Sequence, residues 1–195
     1  RASVPAYNLP VPPATATRPV TLGISRLLGP DRGLVAGRRV GVVCNPASID
    51  AAFRHTADLL VADPDVTVGA LFGPQHGFRS DLQDNMIETP HAEDQARRVP
   101  VYSLYSETRE PTAEMLAGLD VLVIDLQDIG ARIYTFIYTM ANCLRACGRH
   151  GVPVIVCDRP NPIGGVEVEG ETLVRGLESF VGLFLLAGEL VLDAL

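Results

Sequence analysis

Polar side chains that could bind or protonate a ligand follow five short apolar segments of the sequence. Such segments are typical of strands in a parallel sheet, and the loops after parallel strands meet at one edge of the sheet, where ligands collect. Carboxylates, amides and arginines gathered in this way suit a polar ligand with many hydroxyl groups. We consider the following as binding residues: Asn45, Arg79, Asp125, Arg132, Tyr134, Asp158, Arg159 and Asn161.

Several of these residues have structural explanations of similar weight. Asp125 and Asp158 can cap a following helix or fix a loop by accepting backbone N–H groups. Arg132 and Arg159 can pair with those same carboxylates. Tyr134 lies four residues from a second tyrosine, a spacing that favours packing on one helix face. The clustering of these side chains, more than any one of them, therefore indicates a site.

The sequence lacks the motifs of several common sites. No Gly-x-Gly-x-x-Gly follows the first predicted strand and no phosphate loop is present, so we expect no nucleotide cofactor and disfavour an oxidoreductase. No Gly-x-Ser-x-Gly elbow marks a hydrolase serine. The net charge of −7 argues against a nucleic-acid partner. No apolar run reaches the ~20 residues that span a bilayer.

The four cysteines are Cys44, Cys143, Cys147 and Cys157, and none has neighbours that would complete a zinc site. We therefore expect no metal and predict that all four are buried free thiols. Free thiols favour a reducing compartment, so the cytoplasm is the favoured location. A secreted or periplasmic location stays open if a signal segment was removed before Arg1.

Apolar strands alternate with amphipathic helices along most of the chain. Strands are predicted at residues 38–44, 67–72, 99–105, 121–126 and 152–157, and helices at 51–62, 111–119 and 132–150. Phe53, Ala57, Leu60 and Val61 would share one side of the first helix. The alternation predicts an α/β, Rossmann-like, doubly wound fold, with a mainly parallel sheet of five to six strands and helices on both faces.

Three regions are predicted along the chain. Residues 1–20 are rich in proline and form an extended or disordered lead-in. Residues 21–183 form the Rossmann-like domain, and a β-ribbon or loop is expected at 167–171. Residues 184–195 read as the start of a truncated or atypical C-terminal segment.

Five motifs follow one another in order: residues 73–79 (GPQHGFR), 101–105 (VYSLY), 109–112 (REPT), 125–132 (DLQDIGAR) and 158–165 (DRPNPIGG). Together they resemble the DUF1343 family, whose characterised members are exo-β-N-acetylmuramidases of the NamZ type. The resemblance extends from about Leu22 to Leu183. It implies a glycosidase that removes terminal N-acetylmuramic acid from peptidoglycan fragments. It also implies a Rossmann-like domain without nucleotide and a C-terminal domain that completes the cleft.

The resemblance also implies roles for single residues. A glycosidase needs a carboxylic acid of raised pKa and usually a second carboxylate. Arginines at positions 79, 132 and 159 would bind the lactyl carboxylate of the sugar. The implied catalytic residues are Gln75, His76, Glu88, Glu107 and Asp128.

One of these positions departs from the family pattern. Many family members have Glu where this chain has Gln75, and a glutamine cannot donate an acid proton. Either another acid serves here, with Asp84, Glu88 and Glu107 nearby in sequence, or the chain is a catalytically impaired carbohydrate-binding homologue.

Overall fold

The computed structural model describes residues 20–80, 90–164, 173–179 and 182. Within these residues six strands form one sheet: β1 (Arg39–Cys44), β2 (Thr67–Gly73), β3 (Ala92–Asp94), β4 (Val99–Ser103), β5 (Val121–Asp125) and β6 (Val154–Val156). The strand order is β3-β4-β2-β1-β5-β6, and every neighbouring pair is parallel except β3 with β4. The mainly parallel sheet confirms the predicted α/β, Rossmann-like architecture.

Helices cover both faces of this sheet, as predicted. Alternate strand residues point to opposite faces, so Val42 packs in the apolar cluster that includes Ile24 and Leu60, whereas Val43 packs in the cluster that includes Leu116 and Cys143. The helices that supply these clusters are α1 (Gly23–Leu27), α2 (Thr56–Ala62), α3 (Ala113–Leu116) and α4 (Phe136–His150), with a short 3-10 turn at Arg32–Leu34.

The direction of winding reverses between β1 and β5. From β1 the chain moves outward through β2 to β4, and it then returns to the other side of β1 as β5 and β6. Loops that leave neighbouring strands on opposite faces open a crevice at the carboxyl ends of those strands. Asn45 and Asp125, which come at the ends of β1 and β5, are both buried at this point.

All three predicted helices begin later than the sequence predicted, and the one expected at 111–119 spans only Ala113–Leu116. The helix expected at 51–62 begins at Thr56, because the His55 Nδ1 atom caps it by accepting the N–H of Ala57 at 3.2 Å. Phe53, expected on one side of this helix together with Ala57, Leu60 and Val61, lies in the preceding loop and is 82% exposed, so that prediction was wrong. The helix expected from residue 132 begins at Phe136, which leaves residues 126–135 as a loop after β5.

Short elements with weak patterns were not predicted. The three-residue β3 pairs with β4 at the sheet edge, and the five-residue α1 precedes β1. The predicted β-ribbon at 167–171, the segment 184–195 and nearly all of the lead-in lie outside the described residues.

Three further predictions concern the state of the cysteines, membrane-spanning helices and metal sites. All four cysteines are buried and free, as predicted. Among the described residues, no helix is long and apolar enough to cross a membrane. The same part of the chain contains no group of three or more side chains that could hold a metal ion.

Asp94, at the end of β3, fixes the turn that leads into β4. Its Oδ1 atom accepts the backbone N–H groups of Ala96 and Arg97 at 3.0 and 2.9 Å, and its Oδ2 atom pairs with the Arg97 guanidinium at 2.5 Å. Burial alone would raise the pKa of Asp94, but the hydrogen bonds and charge of Arg97 outweigh it and lower the pKa. The ionised carboxylate is therefore the form that stabilises the fold.

We expect Asp94→Asn to lower the free energy of unfolding at pH 7 by about 1–3 kcal/mol. Because the folded pKa is lowered, this stabilisation is present above the unfolded pKa of about 3.9 and is lost as the pH falls through the folded pKa. Urea unfolding of both proteins between pH 3 and 7 measures the effect. Parallel stability curves for the two proteins at all pH values would contradict it.

Candidate active site

A cleft opens at the carboxyl ends of β5 and β6, beside the first turns of α4. The cleft is shallow and open to solvent, and the space enclosed within it is about 30 Å³. Leu126, Ile137 and Met140 contribute to its apolar lining. The polar residues of its lining come from the loops after both strands: Asp128, Asp158 and Arg159. An apolar cleft with a few convergent polar groups is the usual form of a small-molecule site.

The Asp128 carboxyl group of this cleft is only partly satisfied by hydrogen bonds. Its Oδ2 atom accepts the N–H of Gly130 at 3.0 Å. Its Oδ1 atom is buried and has no hydrogen-bond partner in the part of the chain that the structure describes. Burial raises the pKa of Asp128, and the backbone N–H groups of Gly130 and Ile129 only partly oppose this shift. Asp128 therefore keeps its proton to higher pH than an ordinary aspartate.

Tyr134 lies in the same loop and is electrostatically coupled to Asp128. Burial raises the pKa of Tyr134, and the negative charge of Asp128 raises it further. Its ring packs against Phe136, with 4.7 Å between the ring centroids. The phenol therefore stays protonated at neutral pH, as a hydrogen-bond donor held near the aspartate.

Gln75 connects the loop after β2 to the start of α4. The Thr135 hydroxyl donates to its Oε1 atom at 2.7 Å. The backbone of this loop is tightly constrained. The Gly77 N–H donates to the Pro74 carbonyl at 2.9 Å, and His76 has a φ of 69°. A side chain on Gly73 would collide with the backbone of Phe78. Since a carboxylate could accept the same hydrogen bond, this geometry holds either Gln or Glu at position 75.

Asp125 and Arg159 form a buried ion pair at the carboxyl ends of β5 and β6. Arg159 Nε and Nη2 donate to the two carboxylate oxygens of Asp125 at 2.6 and 2.9 Å, and Nη2 also bonds to the Ile49 carbonyl at 2.8 Å. The Thr56 hydroxyl donates to the same carboxylate, and the Ser48 hydroxyl donates to the Asp125 carbonyl. Arg159 therefore pairs with Asp125, which is the structural alternative to ligand binding that the sequence left open for these two residues.

Residues 40–189 match the family described as exo-β-N-acetylmuramidase NamZ, N-terminal. The chain belongs to this family. It is 44% identical over 171 residues to the peptidoglycan β-N-acetylmuramidase NamZ of Bacillus subtilis (strain 168), which covers 87% of this chain and 41% of that protein. Crystal structures of two DUF1343 family proteins from Bacteroides fragilis NCTC 9343 are also similar, with TM-scores of 0.78 and 0.71 at 42% and 26% identity.

Each structural comparison covers 86% of this chain and 42% of the other. The chain therefore spans about two fifths of the length of these relatives. Membership of the NamZ family confirms the resemblance carried by the five motifs, all of which fall within the matched residues. The roles of single residues stay predictions.

The other predicted site residues are spread along the same edge of the sheet. Asn45 is buried and shapes its own loop, because its Oδ1 atom accepts the N–H of Ala47 at 3.1 Å and its carbonyl bonds to His55. Asn161 Oδ1 likewise accepts the N–H of Ile163 at 3.2 Å. The exposed members are Arg79, Glu107 and Asp158, the half-buried ones are His76 and Arg132, and Asp84 and Glu88 lie outside the described residues.

Sequence reasoning missed two residues that hold the candidate site together. Thr135 binds Gln75, and Gln127 Nε2 donates to the carbonyls of Asp128 and Pro160 at 2.6 and 3.1 Å. Gln127 stands inside one of the five motifs, which was an available signal. Thr135 had none, because the residue it contacts is 60 positions away in sequence.

Proposed function

We propose that this chain carries the catalytic face of an exo-β-N-acetylmuramidase, a glycoside hydrolase that removes terminal N-acetylmuramic acid from peptidoglycan fragments. The terminal sugar would bind in the cleft at the carboxyl ends of β5 and β6. Family membership and the name of the Bacillus subtilis relative support the reaction. In the longer relatives, the part that this chain does not align with would complete the open side of the cleft.

The buried, unsatisfied Asp128 Oδ1 atom is the observation that carries this proposal. A protonated carboxyl group in a cleft can donate its proton to the glycosidic oxygen as the bond to the anomeric carbon breaks. The electrons of that bond remain on the leaving oxygen, and a water molecule takes its place on the anomeric carbon. The proton of that water would pass to a second carboxylate, for which Asp158 on the same cleft is our candidate.

This assignment removes the difficulty that Gln75 raised. Gln75 cannot act as an acid, but its amide can orient a hydroxyl group of the sugar while Thr135 holds it in place. Arg79 and Arg132 are our candidates for the lactyl carboxylate. The Arg159 guanidinium is buried and bonded to both carboxylate oxygens of Asp125. His76 would contact the sugar from the constrained loop after β2.

The direct test is release of N-acetylmuramic acid from a muramyl-glucosamine disaccharide by the purified chain, with a glucosaminide as the control substrate. Selective release is the expected result. A folded chain that releases nothing would contradict the hydrolase proposal. It would leave the second candidate, a carbohydrate-binding homologue without turnover, which the glutamine at position 75 favours.

Gln75→Glu separates these two candidates. If Asp128 is the acid, we expect the substitution to give far less than the ~10²-fold gain that a restored general acid would provide. Turnover is measured on the same disaccharide, and Gln75→Leu controls for loss of the Thr135 hydrogen bond. If the wild-type chain shows no turnover and the Gln75→Glu variant does, the acid belongs at position 75. That result would support the catalytically impaired homologue.

A further inference from the structure

Phe53 occupies an unusual position in the loop between β1 and α2. Its side chain is 82% exposed, and its backbone has a φ of 61°. A single exposed apolar side chain needs no explanation by itself. A bulky residue with a positive φ does, because such strain persists only where the surrounding structure enforces it and it is concentrated at functional sites.

The loop around Phe53 is a small hairpin built on Asp50. Ile49 pairs antiparallel with His55, and the Asp50 N–H bonds to the Arg54 carbonyl at 3.0 Å. The Asp50 carboxylate accepts the N–H groups of Ala52 and Arg54, both at 2.9 Å, and the Arg54 guanidinium. The Phe53 N–H closes the turn on the Asp50 carbonyl at 3.0 Å.

These bonds fix the backbone of the hairpin from both sides and therefore enforce the strained φ of Phe53. The ring stands at the tip of the hairpin in water, where it satisfies no packing requirement of the fold.

The base of this hairpin is attached to the candidate active site. The Ile49 carbonyl accepts the Arg159 guanidinium at 2.8 Å, and Arg159 lines the cleft together with Asp128. The hairpin follows β1 and the Asp128 loop follows β5, so the two stand at the carboxyl ends of neighbouring strands, where the direction of winding reverses.

We propose that Phe53 is an aromatic platform for the sugar on the leaving-group side of the scissile bond. This inference rests on the proposed function. An exo-acting enzyme holds the terminal sugar in its cleft and leaves the rest of the glycan pointing outward, toward residues such as Phe53. The apolar face of a pyranose ring packs well on a flat aromatic ring, because the C–H groups of the sugar meet the negative face of the ring. A rigid, strained hairpin presents that ring without a cost of ordering it on binding.

Phe53→Gly is the informative variant, because glycine adopts a positive φ without strain while it removes the ring. We expect its melting temperature to be unchanged or raised by up to about 4 °C. Its affinity for the muramyl-glucosamine disaccharide should fall about tenfold, a factor in the range of one aromatic contact. Its affinity for N-acetylmuramic acid alone should not change. Both affinities are measured by titration calorimetry with every variant in an Asp128→Asn background, because the active chain would cleave the disaccharide during the titration.

Phe53→Tyr should keep the affinity of the wild-type chain for the disaccharide, and so should Val61→Ala, which changes an exposed apolar side chain on α2. Unchanged disaccharide affinity in Phe53→Gly would overturn the inference and leave the proposed function standing. An equal loss for both sugars would also overturn it, since that would reflect a moved hairpin. A wild-type chain that binds neither sugar would overturn the inference and the proposed function together.

Discussion

Asp128→Asn should lower the release of N-acetylmuramic acid by about 10²–10⁴-fold, the usual contribution of a general acid. The asparagine side chain has nearly the same shape and can still accept the N–H of Gly130, but it has no acid proton to donate. Initial rates on the muramyl-glucosamine disaccharide measure the loss. Glu93→Gln is a matched control, because Glu93 is exposed on β3, at the opposite edge of the sheet from the cleft.

The same substitution should not weaken the fold. Burial raises the pKa of Asp128 above its unfolded value, so the ionised form destabilises the folded state at any pH above the raised pKa. This penalty fades as the pH falls through the folded pKa and is absent below the unfolded value of about 3.9. Asparagine carries no charge, so Asp128→Asn should be as stable as the wild type or more stable at pH 7. A variant that loses both activity and stability would indicate a structural aspartate.

The parts of the fold that could be predicted from sequence are those controlled by burial of continuous apolar runs. The residues of β5 are buried on both faces of the sheet. Their sequence is therefore a nearly continuous apolar run, which predicts a buried strand. Gly151 likewise ends α4 with a φ of 70°, as a glycine at this position usually does. Such signals are local, so one sequence is enough to find them.

Predictions failed where a polar side chain overrides a local pattern. The first helix was extended back to residue 51 because Phe53 and Ala57 have helical spacing, but the Asp50 carboxylate captures the backbone N–H groups of that segment and forms a hairpin instead. In the candidate site, Asp128 could be named from its motif. Its unsatisfied Oδ1 atom could not, because that depends on how α4 and β6 close around it.

The Asp125–Arg159 pair shows most clearly what a residue type does not reveal. An arginine in a site for an anionic sugar suggests a substrate contact, yet both side chains are nearly fully buried and bonded to each other. Their partners come from the loop after β1 and from α2, so the pair joins these elements to the ends of β5 and β6. We infer that it acts on the site by holding these elements together.

Asp125→Ala should therefore lower the free energy of unfolding by about 3–5 kcal/mol, because it leaves the Arg159 charge buried without its carboxylate. Glu110→Ala is the matched control: the Arg149–Glu110 pair has the same 2.6 Å separation but is about half exposed, so its loss should cost roughly 0–1 kcal/mol. Urea unfolding measures both changes.

The double variant Asp125→Leu/Arg159→Met removes both buried charges and should recover much of the stability that Asp125→Ala loses. If the pair only holds loops in place, the recovered fold should also recover affinity for N-acetylmuramic acid. A stable double variant without that affinity would instead identify Arg159 as a direct contact of the sugar, since the fold would then no longer explain the loss.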